Sequence, residues 1–264
     1  MCTVFGEFPI VLEFKVGRCI AAGAAFALSA FSVLSSPQAQ SNRWDGFYAG
    51  INAGVSTAND ALTISTRQNA PGGLASAQSV GFAPLRTAPN NGFIGGVQAG
   101  YGKVFFEGLY VGGETDLQWL NASTTVASSP VIAGQQLSTW ISRSQTWLGT
   151  TRAKLGFTPM SYLLLYGTGG LAYGDTRLDV SISSANAAPP VNSAQSSVQT
   201  RLGYTLGAGF EVTAWGPLSL KGEWLYYDLG ESTVTNTYIF SGSSMTTKVL
   251  NNGHIFRAGI NYRF

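Results

Sequence analysis

Four carboxylates and five cationic side chains are spaced so that they could act together: Glu114, Asp116, Glu211 and Glu223 against Arg152, Lys154, Lys221, Arg257 and Arg263. Glu114 and Asp116, Arg152 and Lys154, and Lys221 and Glu223 are each two residues apart, a spacing that on a β-strand sends both side chains to one face. Inside a closed sheet such groups must pair, because an uncompensated charge away from water is too costly to keep. Paired, they can fill and rigidify an interior, or they can line and gate a narrow passage. Catalysis asks for more, normally a histidine acting as base beside a nucleophile or an acid pair. The chain has one histidine, His254, and position 256 holds Phe where a barrel deacylase wants Ser. No enzyme is expected.

The elements that would position these groups are strands. Period-two patterning predicts them near 46–56, 92–102, 109–120, 140–157, 162–174, 200–212, 218–230 and 253–264. The connections 57–91, 121–139, 175–199 and 231–252 are long, and 103–108, 158–161 and 213–217 are short. Strict long/short alternation is expected of an up-and-down barrel with one rim in the periplasm and one outside. The sequence therefore predicts an all-β, eight-stranded antiparallel transmembrane β-barrel with four long extracellular loops and three short periplasmic turns. Parity supports it. Phe47, Ala49, Ile51, Ala53 and Val55 share one face of the first strand, and Tyr48, Asn52 and Ser56 the other. Val111, Leu117 and Trp119 face outward while Glu114, Asp116 and Gln118 face inward. By the same reading Leu155 and Phe157 point out and Arg152 and Lys154 point in, and Leu220 and Trp224 point out and Lys221 and Glu223 point in. Placing Trp119 level with Trp147 sets Glu114 opposite Arg152, and a tight turn near Gly216 sets Glu211 opposite Lys221. Outward aromatics gather at both strand ends, as amphipathic rings do at bilayer interfaces. The long connections, rich in Ser, Thr, Asn and Gln, read as mobile surface loops with too little hydrophobicity for a core.

Composition fits this picture. Charged residues are 11% and hydrophobic residues 45% of the chain, well below the charge of ordinary soluble domains. No apolar run after residue 40 is long enough for a membrane-spanning helix. A net charge of +2 with no basic cluster excludes nucleic acid as the expected partner. Lys15 and Arg18 before the apolar run Cys19 to Leu34, then Ser35-Ser36-Pro37-Gln38-Ala39, predict a signal peptide over 1–39 and a barrel domain over 40–264. Both cysteines, Cys2 and Cys19, fall in the part removed, which rules out a disulfide scaffold, a thiol nucleophile and a Cys-based metal site in the mature chain. The last strand places Phe256, Ala258, Ile260, Tyr262 and Phe264 on one face and Arg257, Asn261 and Arg263 on the other. Its aromatic end, with Phe264, Tyr262 and Ile260, reads as the signal recognised by the barrel-assembly machinery.

Several segments together resemble the small outer-membrane surface antigens of α-proteobacteria, the opacity-type and hemin-binding barrel group, similar in fold to the outer membrane protein A transmembrane domain. They are Trp44 to Gly54, Val111 to Asp116, Trp147 to Phe157, Tyr166 to Gly174, Leu220 to Gly230 and His254 to Phe264. The resemblance implies an abundant outer-membrane protein, sometimes porin-like or hemin-binding, whose loops diverge most. The expected function is a surface-exposed structural barrel with a lumen filled by side chains. The alternatives are a narrow channel for small solutes or a hemin-binding barrel using His254, with Tyr238 as its possible partner. The first reading needs no cofactor and no metal. Its partners are outer-membrane lipid and lipopolysaccharide, with the assembly machinery and periplasmic chaperones during biogenesis, and the protein is expected to be a monomer.

Overall fold

The computed structural model describes residues 42–59, 62–68, 90–129, 131–132, 135–136, 138–184, 191–237 and 243–264. The signal-peptide segment and Tyr238 lie outside them. The described strands are β1 (Gly46–Asn59), β2 (Leu62–Gln68), β3 (Asn90–Val104), β4 (Leu109–Ser128), β5 (Val131–Ile132), β6 (Gln135–Gln136), β7 (Ser138–Met160), β8 (Leu163–Ser184), β9 (Val191–Thr213), β10 (Leu218–Thr237) and β11 (Ser243–Arg263). The main sheet runs β1-β3-β4-β7-β8-β9-β10-β11-β2, and β1 also pairs with β11, so the sheet closes on itself. Every ladder is antiparallel. At the closure Tyr48 stands opposite Arg263 and Asn59 opposite Asn252. The Phe264 amide donates to the Phe47 carbonyl at 2.9 Å. Among the described residues no helix is long and apolar enough to cross a membrane, which says nothing of strands.

The expected eight strands are corrected to nine in the main sheet. The extra one, β2, lies in a stretch expected to be loop. It continues along β11 where β1 stops: Asn59 pairs with Asn252, and Leu62 with Val249. The other long connections are also shorter than expected, because β4, β8, β9, β10 and β11 run well past the predicted ends, whereas β7 exceeds its predicted 140–157 by only two and three residues. β7 and β9 reach 23 residues, whereas about 9–11 tilted residues cross a bilayer. The sequence reason is plain in β8. Thr176, Leu178 and Val180 alternate with Arg177, Asp179 and Ser181, and the first set is buried while the second is not. This is strand patterning with a polar outer face.

Apart from an irregularity between Phe157 and Met160 beside the short β7–β8 turn, the ladders break at one level. Register shifts fall between Trp119 and Ala122 and between Ser144 and Leu148. Another falls between Asp228 and Glu231. Each sits beside the outward aromatics Trp119, Trp147, Tyr173 and Tyr226. In β7 the inward positions change from Leu148, Thr150, Arg152 and Lys154 to Gln145, Arg143, Ile141 and Thr139 across the break. The Asp175 carboxylate accepts from the amides of Thr146 at 3.0 Å and Trp147 at 2.9 Å, so donors freed by the bulge are not left unmade. On the other side of the barrel the β9–β10 ladder ends at Tyr204 and Asp228. There the backbone of β10 leans over the inward side of Gly203, where a Cβ would stand 2.8 Å from the Leu229 Cα. Gly230, at φ +75°, makes the bend. β10 also comes close to β8, with which it shares no ladder. Leu178, Val180, Ile141, Val234 and Val249 are buried. Beyond the breaks the buried side chains are therefore mixed, these aliphatics lying inward together with Arg143, Gln145, Thr139 and Thr176, and outside β7 they stand on stretches whose sequence predicts loops.

Candidate functional site

Strand parity sends Tyr48 of β1, Gln98 of β3, Glu114 and Asp116 of β4, Arg152 and Lys154 of β7, Tyr166 of β8, Lys221 and Glu223 of β10 and Arg257 of β11 to one interior level. Glu114, 2% exposed, is the hub. Its Oε1 accepts from Arg152 Nη2 at 2.5 Å and Lys221 Nζ at 2.8 Å. Its Oε2 accepts from Lys154 Nζ at 2.5 Å and the Tyr48 hydroxyl at 2.8 Å. Asp116 Oδ2 takes 2.8 Å bonds from Arg152 Nη2, Arg257 Nη2 and the Thr150 hydroxyl. Glu223 Oε2 accepts from Arg257 Nε at 2.8 Å and Nη2 at 2.5 Å, and Oε1 from the Tyr166 hydroxyl at 3.0 Å. The Arg152 Nη1 lies 3.0 Å from Glu223 Oε1. All seven charged side chains have no exposed surface.

Glu114 is opposite Arg152 in the ladder and pairs with it. Glu211 is likewise opposite Lys221, but those two do not pair. Lys221 reaches across the interior to Glu114 and, at 2.7 Å, to Gln98 Oε1. Glu211 forms a second, smaller cluster nearer the short turns. It accepts from the Ser219 hydroxyl, from Asn261 Nδ2 at 3.1 Å, and lies 3.5 Å from Arg263 Nη2. Ladder position decides neighbours on a face, but a four-carbon lysine stem also spans a narrow interior. Arg263 donates through Nη1 to the Trp44 carbonyl at 2.5 Å, and its guanidinium covers the rings of Trp44 at 5.6 Å and Tyr48 at 4.8 Å.

Tyr48, Gln98, Thr150, Tyr166 and Asn261 were not singled out by sequence. Each lies at an inward parity position, which is the signal that could have found them. Above and below the charges the interior is apolar. A cluster of Ile94, Leu120, Leu148, Ala172, Leu225, Tyr227, Leu229 and Ile255 lies on the loop side. Trp44, Tyr110, Leu164 and Tyr166 close the turn side. Chemically the arrangement holds charge in place: Glu114, Asp116 and Glu223 each bind two or more cations, and the hydroxyls of Tyr48, Thr150 and Tyr166 add further donors.

His254 stands elsewhere. It faces outward at the level of the ladder breaks, stacked on Trp224 at 5.8 Å and beside Tyr226 at 5.3 Å. Ile260, Tyr262 and Phe264 also face outward, with the last two rings 5.2 Å apart. Among the described residues no three His, Cys, Asp or Glu side chains are grouped to hold a metal. His254 is turned away from every interior carboxylate described above.

The profile described as the outer membrane protein β-barrel domain matches residues 26–264. The chain is 34% identical over 248 residues to the 31 kDa outer-membrane immunogenic protein of Brucella melitensis, covering 91% of this chain and 95% of that relative. The counterpart in Brucella suis matches equally. Among solved structures, the outer membrane protein OprG of Pseudomonas aeruginosa is 9% identical with a TM-score of 0.42, covering 83% of this chain and 96% of that one.

Proposed function

The chain belongs to the outer membrane protein β-barrel domain family, and from that premise we propose that it is a structural, surface-exposed envelope barrel whose lumen is filled by its own side chains. It is a multi-pass β-barrel of the Gram-negative outer membrane, of the surface-antigen type. In this reading eight strands cross the membrane: β1, β3, β4, β7, β8, β9, β10 and β11. The strand β2 belongs to the part outside. Residues 1–39 are the signal peptide and 40–264 the mature barrel. Phe264, Tyr262 and Ile260 serve the assembly machinery, with periplasmic chaperones delivering the chain and lipopolysaccharide surrounding the finished barrel.

The observation that carries the proposal is the fully covered network around Glu114, with apolar layers on both sides of it. An eight-stranded barrel leaves an interior just wide enough for side chains. Glu114, Asp116, Arg152, Lys154, Lys221, Glu223 and Arg257 occupy that width, and Glu211 with Arg263 occupies the turn end. Refolded protein in planar bilayers is expected to give no reproducible single-channel steps, and liposomes containing it no faster solute uptake than empty ones. Steps of constant size, abolished or altered by Glu114→Gln, would establish the narrow channel instead.

A further inference from the structure

One face of the outer part is built unlike the rest of the molecule's surface. Beyond the ladder breaks, β4, β7, β8 and β9 form a continuous four-stranded sheet whose outward side carries an isolated large aromatic. Trp140 is 55% exposed. Its direct ladder neighbours are Ala127 and Ser181, too small to cover the indole. One row nearer the membrane runs Thr125, Ser142, Asp179 and Ser196, each opposite the next across the four strands. The Thr125 hydroxyl lies 3.3 Å from Ser142 Oγ, and Arg177 Nε donates to Asp179 Oδ2 at 2.9 Å. The Ser196 hydroxyl, then Arg177, hold the Asp179 carboxyl below the usual carboxylate range, so it stands as an ionised acceptor.

Trp140 is seven residues beyond Trp147 along β7, about 15 Å further out for a strand tilted near 45°. That is too far from the hydrocarbon for an interfacial anchor, and among the described residues the other large apolar side chain exposed on this face, Val198, stands two rows away beyond the hydroxyl row. What suits a flat indole bordered by hydroxyls and one carboxylate is a ring with an apolar C–H face and a hydroxyl rim. We propose that Trp140 and the row Thr125, Ser142, Asp179 and Ser196 form a saccharide-binding platform for the sugar headgroups of the outer-leaflet lipopolysaccharide. The indole stacks on the apolar face of one sugar, Asp179 accepts from its hydroxyls, and Arg177 takes an acidic substituent on the same or the next sugar. These headgroups surround the wall of any barrel in this leaflet and rise to the height of the platform. The proposal does not depend on whether the lumen conducts.

The test uses the full mature chain refolded in phospholipid nanodiscs. It is titrated with the deacylated core oligosaccharide of lipopolysaccharide from a related Gram-negative α-proteobacterium, affinity being read for every variant by isothermal titration calorimetry and the site, in the wild type, by the indole N–H resonance of Trp140. The wild type should bind, with that resonance moving. Trp140→Phe should retain affinity, and Trp140→Ala should lose about ten-fold, the scale of one aromatic stacking contact. Asp179→Asn should weaken binding less than Trp140→Ala does. Heat-modifiable gel migration checks that each variant is folded. No binding by folded wild type, equal binding by Trp140→Ala, or equal binding of a neutral glucan would each overturn the proposal.

Discussion

Below the ladder breaks the strands put apolar residues outside and charges inside; above them the outward residues are mostly polar and the interior gains aliphatics, Ile141, Leu178, Val180, Val234 and Val249, beside Arg143 and Gln145. On β7 the outward residues Leu155 and Phe157 are exposed and apolar, and Arg152 and Lys154 are buried. Past the break Ser142 and Ser144 face out, while Ile141 is buried. β8 changes likewise, from Leu171 outside to Arg177 and Asp179 outside and Leu178 and Val180 within. The surrounding solvent sets the pattern. In lipid the outer face must be apolar, so polar groups are confined to the interior and must satisfy one another. In water the outer face can be polar, and the interior can bury aliphatic side chains such as Leu178 and Val180 beside polar ones. In the proposed reading the bulges fall where one solvent gives way to the other.

The largest effect should come from the interior charges. Glu114→Ala removes the acceptor of Arg152, Lys154 and Lys221 together and should destabilise the barrel by about 3 kcal/mol, read from urea unfolding in vesicles. Unchanged stability would mean that the network is hydrated and the contrast with the outer part overstated. Close behind is a charge on the lipid side. Ile51, outward and opposite Ile260 near mid-barrel, should cost about 2–4 kcal/mol as Ile51→Arg. A smaller loss would place that row nearer an interface.

Most of this was legible in the sequence. Alternation gave the inward set around Glu114 and the outward belt, and the aromatic alignment of Trp119 with Trp147 gave the Glu114–Arg152 pair. Two things were not. Lys221 was assigned by adjacency to Glu211, but the length of its side chain and the narrowness of the interior let it cross to Glu114, and only three-dimensional distance shows that. The extensions of β4, β8, β9, β10 and β11 have the low hydrophobicity of loops, which hides their strand patterning. Their alternation was present, as in Thr176 to Val180, but its polar half faced water and lowered the average. The register shift in β7 also flips parity, so a pattern followed in one phase fails to continue through Trp147.

The outer part offers the next contrast. Leu178→Ala should cost about 2 kcal/mol, the low end for a buried leucine, because the strands around it can partly close on the space. The loss should be confined: limited proteolysis should become faster at β8 and β10 beyond the breaks, while the heat-modifiable migration of the membrane part is kept. Protease resistance equal to wild type would show that these strands do not depend on the buried aliphatics.

The smallest effect should appear at the boundary and on the outer polar face. Asp175→Ala removes the acceptor from the Thr146 and Trp147 amides. These groups lie near the surface, so water can replace part of what is lost and the cost should be about 1 kcal/mol. Its use lies in pairing with Ser181→Arg, on the exposed face of β8, which should change stability by less than about 0.5 kcal/mol. The same arginine is then placed on two outward positions, Ile51 and Ser181, and only its surroundings differ. If Ser181→Arg proved as costly as Ile51→Arg, the outer sheet would lie in lipid and the bulges would not mark the interface. If it is neutral while Asp175→Ala raises hydrogen exchange only at Thr146 and Trp147, the change of solvent falls within a few residues of the β7 bulge.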